Sequence, residues 1–296
     1  MSFTWAGVIR SRKPDISESS LTTYISQLNG VARHMGVDPV PDNFFSLETT
    51  AVLKHLSKFV PSRRKNILSA ILCVVDDARS AERYRAQMLR DIHATSLQLK
   101  KQKMSSSQRK NWISQDEILK VYNKLEREAK PLLDSDKLSK ADTKKVLKYI
   151  ALSCFVLIAP RRLKDYTDFK VSNVNKKRDN YMSGSEFVFN SYKTAKFYGE
   201  QRVQIPPKLK NIIEKWERIS DNEYLLFSSK GTKLSPPQLV LLLNEVFGKK
   251  VSVGMLRHVY ISDVVLKNVP PMEQLEQVAE DMGHSLPQQM EYKKFK

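Results

Sequence analysis

Arg161 and Arg162 directly follow the apolar run "FVLIAP", and two adjacent guanidiniums there either snorkel to water or meet an anion. Lys193 stands at the end of one strand-like stretch, in the turn "SYKTAKFYGE" that leads to the next. Lysine in such a turn is commonly a solvated guard of a sheet edge. Arg257 and His258 lie in "GMLRHVYISD", where an arginine amid Met, Leu, Val and Tyr needs an anionic partner or a route to solvent. The sequence closes on "GHSLPQQMEYKKFK", which holds His284 and, eight residues on, Tyr292, in a place where disorder is the default expectation. Each of these residues has a bland reading alone. Together the set is cationic, and it calls for an anion.

The elements that must position these groups are mostly helical. In "SESSLTTYISQLNGVARHMG", serine caps precede Leu21, Tyr24, Ile25, Leu28 and Val31 at helical spacing, and Gly36 stops the pattern. "SLETTAVLKHLSKFV" carries Val52, Leu53, Leu56 and Phe59 on one face. "PSRRKNILSAILCVVDDA" opens on Pro61 at a first helical turn, with Arg63, Arg64 and Lys65 ahead of an apolar body. A polar, basic helix follows in "SAERYRAQMLRDIHATSLQLKKQK". Three serines between Lys100, Lys101 and Lys103 on one side and Arg109 and Lys110 on the other make residues 105–112 a linker candidate. A new helix restarts at "WISQDEILKVYNKLEREA" with Ser114 as cap and an acidic first turn. Beyond it, "KKVLKYIALSCFVLIAP" reads as an apolar helix ending near Pro160, and "SEFVFNSYKT" with "EQRVQIPP" as a hairpin or small sheet. "PPKLKNIIEKWERI", "SPPQLVLLLNEVFG" and "GMLRHVYISDVVLKN" then read as helices. The expected fold is mainly α with a small β-sheet. Its expected parts are a helical, basic domain, 1–104, the basic linker, 105–112, and a second domain, 113–296.

Bulk properties narrow the partners. Fifty Lys and Arg against 32 Asp and Glu give a net charge of +18, with a pI near 9.7. Such a field attracts polyanions, and the basic residues recur along the whole chain instead of clustering beside a membrane. Double-stranded DNA is the expected partner, with Arg63, Arg64, Lys65, Lys100, Lys101, Lys103, Arg109, Lys110 and Arg161 as candidate contacts. No run of eighteen apolar residues exists, so no membrane span is expected, and the N-terminal "MSFTWAGVIRSRKPD" lacks the form of a signal peptide. Cys73 and Cys154 sit in apolar runs and read as buried thiols of an intracellular, reducing compartment. Two Cys and five scattered His show no zinc-ligand spacing, so neither a metal nor another cofactor is expected.

In their order along the chain these groups resemble the catalytic domain of the tyrosine recombinases, the family of phage integrases and site-specific recombinases. That pattern is an Arg with a carboxylate three residues later, a Lys in a β-hairpin, a His-x-x-Arg helix, then Gly-His and a final Tyr. Arg162 with Asp165, Lys193, Arg257, Gly283-His284 and Tyr292 match it, over about 112–296. The helical region 16–104 resembles the family's core-binding domain more loosely. "PRRLKDY" and the turn around Lys193 are similar to recombinases of large DNA viruses and Polinton-like elements, which implies a mobile-element setting in a host nucleus or cytoplasm. The chain departs from the pattern at Gly254, where the first His of His-x-x-Arg would fall, and in an interval of eight rather than nine between His284 and Tyr292. Four residues follow Tyr292, so the C-terminal helix that many members dock on a neighbouring subunit is not expected.

The resemblance implies strand cleavage and rejoining. Arg162 and Arg257 would clamp the non-bridging phosphate oxygens, with His284 as a further donor. Tyr292 would attack phosphorus to give a 3′-phosphotyrosine link. A phenol titrates ordinarily at about 10, so positive surroundings or a base must activate it. His258, or a water, is left to accept its proton. Lys193 would protonate the leaving 5′-oxygen. A homo-oligomer, a tetramer on DNA, belongs to the same implication. Two rival functions are a type IB topoisomerase, which uses the same residue types to relax supercoils, and a DNA-binding relative without catalysis.

Overall fold

The computed structural model describes residues 4–283 and 285–292. By its internal contacts the chain divides into two compact units, 1–103 together with 270–296, and 104–269. The expected second domain, 113–296, thus covers most of one unit and a piece of the other.

The first unit contains α1 (Trp5–Arg12), α2 (Glu18–His34), α3 (Phe44–Leu47), α4 (Thr49–Leu56), α5 (Pro61–Ile71) and α6 (Ala78–Lys100). Their ends follow from capping chemistry. Ser17 accepts from the Ser20 N–H to start α2, Pro61 opens α5, and Asp77 accepts from the Ser80 N–H to start α6. Leu21, Leu28 and Val31 of α2, Val52 and Leu56 of α4, and Ile67, Leu68 and Ile71 of α5 close on Trp5, Phe44, Phe45 and Tyr84 as one apolar core.

Inside that core lies a charge pair. Asp91 of α6 is buried, and the Arg64 Nε of α5 donates to its Oδ2 at 2.8 Å. A second arginine nitrogen, Nη2, bonds Oδ1, while Nη1 donates to the Phe59 carbonyl at 3.1 Å. This hydrogen bond to Asp91 raises the arginine's pKa still further. Arg64, expected as a DNA contact, thus has its donors engaged by Asp91 and the Phe59 carbonyl. Its neighbour Arg63 is exposed and lies over the Phe59 ring, 4.4 Å from the centroid.

The second unit runs α7 (Ser106–Asn111), α8 (Gln115–Ala129), a 3₁₀ turn (Pro131–Asp134), α9 (Lys140–Val156), α10 (Leu163–Thr167), β1 (Phe169–Lys170), β2 (Asn180–Ser183), β3 (Glu186–Phe189), α11 (Ala195–Tyr198), β4 (Gln201–Gln204), α12 (Pro207–Ile219), α13 (Pro236–Phe247) and α14 (Val253–Val259). A π-helical stretch, Tyr260–Val265, follows directly. The segment expected as a linker holds α7, because Ser105 and Gln108 form a capping box rather than a loose serine run. Ser114 and Glu117 form another at α8.

Helix α9 begins polar, in "KADTKK", and becomes apolar nearly all round, with Tyr149 to Phe155 buried in the core of this unit. The sheet order is β1-β2-β3-β4, with β1 parallel to β2 and the remaining pairs antiparallel. The expected hairpin is the β3–β4 pair, in register at Phe187 with Val203. Helix α12 buries Leu209, Ile212, Ile213 and Trp216. The helix expected across "GMLRHVYISDVVLKN" changes winding after Val259. There the Asp263 carboxylate accepts from the Gln115 N–H at 3.1 Å, satisfying a donor that the start of α8 would otherwise leave unpaired. Both cysteines are free and buried.

Removing one partner of a buried ion pair leaves an uncompensated charge, at a cost of about 3–5 kcal/mol. Arg64→Ala is expected to lower the melting temperature in scanning calorimetry by roughly 10 °C, against about 2 °C for Arg63→Ala. Equal small shifts for both would show that the Arg64–Asp91 pair does not hold α5 to α6.

Candidate active site

The two arginines after α9 have opposite surroundings. Arg161 is turned into the protein. Its Nε donates to Asp165 Oδ2 at 2.9 Å, its Nη2 donates to Gln201 Oε1 at 3.0 Å, and its guanidinium lies 4.0 Å from the Phe189 ring centroid. Tyr192 faces it at 5.4 Å. The Asp165 side chain is only 2% exposed and that of Arg161 18%. Burial pushes the carboxyl of Asp165 above the usual range, against the opposing pull of Arg161. Arg162 is exposed and supplies the residue preceding α10. The carboxylate that the three-residue spacing matches to Arg162 is held by the side chain of Arg161. Arg161, expected as a DNA contact, is taken up inside the unit.

Lys193 lies exposed in the connection between β3 and β4, as expected from the turn. The base of that connection is fixed by Asn180, which is fully buried. Its Nδ2 donates to the carbonyls of Asp165 at 2.9 Å and Ser191 at 2.8 Å. Its Oδ1 accepts from the Asn190 and Ser191 N–H groups at 2.9 and 2.7 Å. One side chain thus ties α10 to the corner two residues before Lys193. Tyr192 adds a bond from its hydroxyl to the Gly199 carbonyl at 2.8 Å. Arg162 and Lys193 each adjoin a residue of this Arg161–Tyr192 cluster. Asn180, Gln201, Phe189 and Tyr192 escape a reading of the sequence, because none stands in a pattern that marks a polar or aromatic group as buried.

Arg257 and His258 are exposed on α14, between the buried Met255, Leu256 and Val259. The route to solvent that an arginine in this apolar stretch requires is therefore present. At Gly254 a Cβ would meet nothing nearer than the Ser252 Oγ at 3.5 Å, an ordinary contact. The departure from His-x-x-Arg at this position is not imposed by space. Among the described residues no carboxylate lies within ion-pair distance of Arg162, Lys193 or Arg257.

Helix α15 (Met272–Asp281) and α16 (Leu286–Tyr292) belong to the first unit by their contacts. Tyr292 is exposed at the end of α16, and Gln288 Nε2 lies 3.4 Å from its hydroxyl as a donor. His284 lies outside the described residues. Of the other basic candidates, Lys65 is half-buried, Lys100 pairs with Glu276 at 2.8 Å, and Lys101, Lys103, Arg109 and Lys110 are exposed. No group of His, Cys, Asp and Glu able to hold a metal occurs among the described residues, and no helix is long and apolar enough to cross a membrane.

These surroundings separate the adjacent arginines experimentally. Arg161→Ala strands a buried carboxylate and is expected to reduce unfolding free energy in urea by about 3 kcal/mol. Arg162→Ala, at an exposed position, is expected to change it by less than about 1 kcal/mol. A larger loss for Arg162→Ala would mean that Asp165 depends on the wrong partner here.

Neither a family model nor a curated protein matches the sequence. Among solved structures the chain is similar to the XerA recombinase, with 13% identity, coverage of 99% of this chain and 94% of that one, and a TM-score of 0.34. It is similar to a lambda integrase dimer bound to a COC′ core site, with 15% identity, coverage of 99% and 79%, and a TM-score of 0.49. A lambda integrase bound to DNA is similar at 13% identity, with 91% of each chain covered and a TM-score of 0.47.

Proposed function

We propose that this protein cleaves and rejoins strands of duplex DNA through a covalent link to Tyr292, as an integrase or site-specific recombinase. One observation carries the reading. Arg162, Lys193 and Arg257 are exposed cations without an ion-pair partner among the described residues, in the order that the family pattern requires. Next to Arg162 in the chain, Arg161 is tied to a carboxylate. Unpaired positive charge on well-packed elements suits the binding of an anion.

A phosphodiester supplies that anion. The two guanidiniums would neutralise the charge that builds on the non-bridging oxygens during attack, an effect typically worth a few kcal/mol for each preorganised donor. The Tyr292 oxygen bonds to phosphorus as the bond from phosphorus to the 5′-oxygen breaks. The phenol proton passes to His258 or to water, and the ammonium of Lys193 protonates the departing 5′-oxygen. The phosphotyrosine retains the energy of the diester, so a 5′-hydroxyl from the same or another strand can reverse the step. Exchange between two duplexes would require several copies on DNA, in keeping with the expected tetramer. Relaxation of supercoils by one copy would instead mark a topoisomerase.

Tyr292→Phe removes only the hydroxyl. It is expected to bind a nicked suicide duplex like the parent while giving none of the covalent complex that the parent shows on a denaturing gel. Adduct formation by Tyr292→Phe would assign the nucleophile elsewhere, with Tyr260 and Tyr198 next to be tested.

A general acid matters only while the leaving group is poor. Lys193→Ala is expected to cleave ordinary DNA at least a hundredfold more slowly, and to recover on DNA with a 5′-bridging phosphorothiolate, whose sulfur departs without a proton. Lys196→Ala is expected to show no such rescue. If Lys193→Ala stays equally slow on the sulfur substrate, the proton comes from another group.

A further inference from the structure

The turn that carries Lys193 also carries the most conspicuous apolar exposure of the second unit. Phe197 is 74% exposed and Tyr198 70%, side by side on the single turn of α11. Aromatic side chains of this size are ordinarily used to build cores and interfaces. These two are held away from the core by a fixed framework. Ala195 packs against the core at the start of the turn. Gly199 closes it at φ 65° and ψ −153°, a conformation in which a residue with a side chain is strained. The Tyr192 hydroxyl holds the Gly199 carbonyl, and the Tyr192 ring faces the Arg161 guanidinium. The tip is thus a presented aromatic pair on an anchored base.

Its charge selects the partner. Lys193 and Lys196 are exposed on the same turn, and the Lys196 Nζ lies 5.1 Å from the Phe197 ring centroid. The neighbouring acid, Glu200, is engaged by Arg202 at 2.8 Å. Lysine is depleted from the centres of protein interfaces, whereas cations interleaved with aromatic rings suit nucleic acid, whose backbone is anionic and whose bases offer π faces. The net charge of +18 points the same way.

We infer that the Lys193–Tyr198 turn is a DNA wedge: its lysines meet the backbone, and Phe197 and Tyr198 stack on bases at a step that has been opened. This rests on the DNA-binding part of the proposed function and is independent of the strand chemistry. A closed base step hides its faces, so a wedge is favoured wherever the step is already broken.

The test is fluorescence anisotropy of the full chain on a 30-base-pair duplex of arbitrary sequence, intact or with a central one-nucleotide gap flanked by 2-aminopurine. The parent is expected to bind the gapped duplex about tenfold more tightly and to quench the 2-aminopurine, the scale of one aromatic–base stack. A variant carrying Phe197→Ala and Tyr198→Ala is expected to prefer the gap by less than about twofold and to leave the probe bright, with unchanged affinity and salt slope on intact DNA. Phe197→Trp with Tyr198→Trp is expected to restore both signals. Lys196→Ala is expected to reduce the salt slope by about one. Equal binding of both duplexes by the parent, or a gap preference that survives the double alanine change, would overturn the wedge. So would a double alanine variant that alters only the sedimentation of the DNA-free chain, which would make the pair a contact between copies. Adduct formation on a suicide substrate is scored separately: its absence sinks the strand-transfer reading and leaves the wedge standing, and loss of gap preference in the parent does the reverse.

Discussion

A carboxylate cannot be left alone in an apolar interior, and the burial of Asp165 obliges the second unit to bring a cation to it. Arg161 is that cation, and meeting Asp165 sets the course of everything around it. The same guanidinium reaches Gln201 at the start of β4 and lies on Phe189 at the end of β3. The segment after α9, the first turn of α10 and the β3–β4 pair are therefore joined at one point. Asn180 repeats the connection through the main chain, from the Asp165 carbonyl to the Asn190–Ser191 corner. Because Arg161 is drawn inward, Arg162, the next residue, is left exposed at the start of α10.

The first unit follows the same rule. Of the consecutive Arg63, Arg64 and Lys65, the middle residue is taken inside by Asp91. Net charge therefore overstates what a polyanion can reach. The positions of buried carboxylates decide which cations remain outside, and a basic cluster in a sequence divides into structural and available members only when those carboxylates are located. In both units the inward arginine also makes neutral contacts, the Phe59 carbonyl for Arg64 and the Gln201 amide with the Phe189 ring for Arg161. A planar group with five donors in a fixed fork can satisfy several partners at once while its face lies on a ring, a combination that a lysine ammonium does not offer.

How much of this is legible in the sequence follows from the range of each signal. Caps and apolar periodicity are local, so α2, α4, α5, α6, α8, α9, α12, α13 and α14 stand out, as do the strands around Phe187 and Val203, whereas α3, α10 and α11, of four or five residues each, are too short to show a period. Strand β1 is two residues long, too short for alternation to show, and β2, Asn180–Ser183, lacks the run of aromatic and β-branched residues that marks β3. Ser105 reads as flexible by composition and acts as a cap by geometry. The change to π winding after Val259 accompanies a bond between Asp263 and the start of α8, a partner 148 residues distant. The site is legible in part. The types and order of Arg162, Lys193 and Arg257 are visible, and the packing beside the first two is not, since the bonds of Asn180 to the Asn190–Ser191 corner and of Gln201 to Arg161 exist only once distant segments meet. The choice between Arg161 and Arg162 illustrates the limit: spacing matches Asp165 to the second arginine, while packing gives its carboxylate to the first.

The anchoring of the β3–β4 connection bears on how a lysine could act as an acid at all. A proton donor must come within hydrogen-bond reach of the leaving oxygen, about 3 Å, and an exposed lysine on a loose loop would spend little time there. Here Ser191 is held at both its N–H and its carbonyl by Asn180, and Gly199 is held by Tyr192. The turn is clamped at both ends and packed at Ala195, and Lys193, Lys196, Phe197 and Tyr198 are its exposed side chains. If the aromatic tip grips an opened base step, the ammonium of Lys193, four residues away on the same short turn, is placed beside the backbone of that step. Recognition and protonation would then share one rigid lever, and a correctly opened duplex would bring its own acid into position.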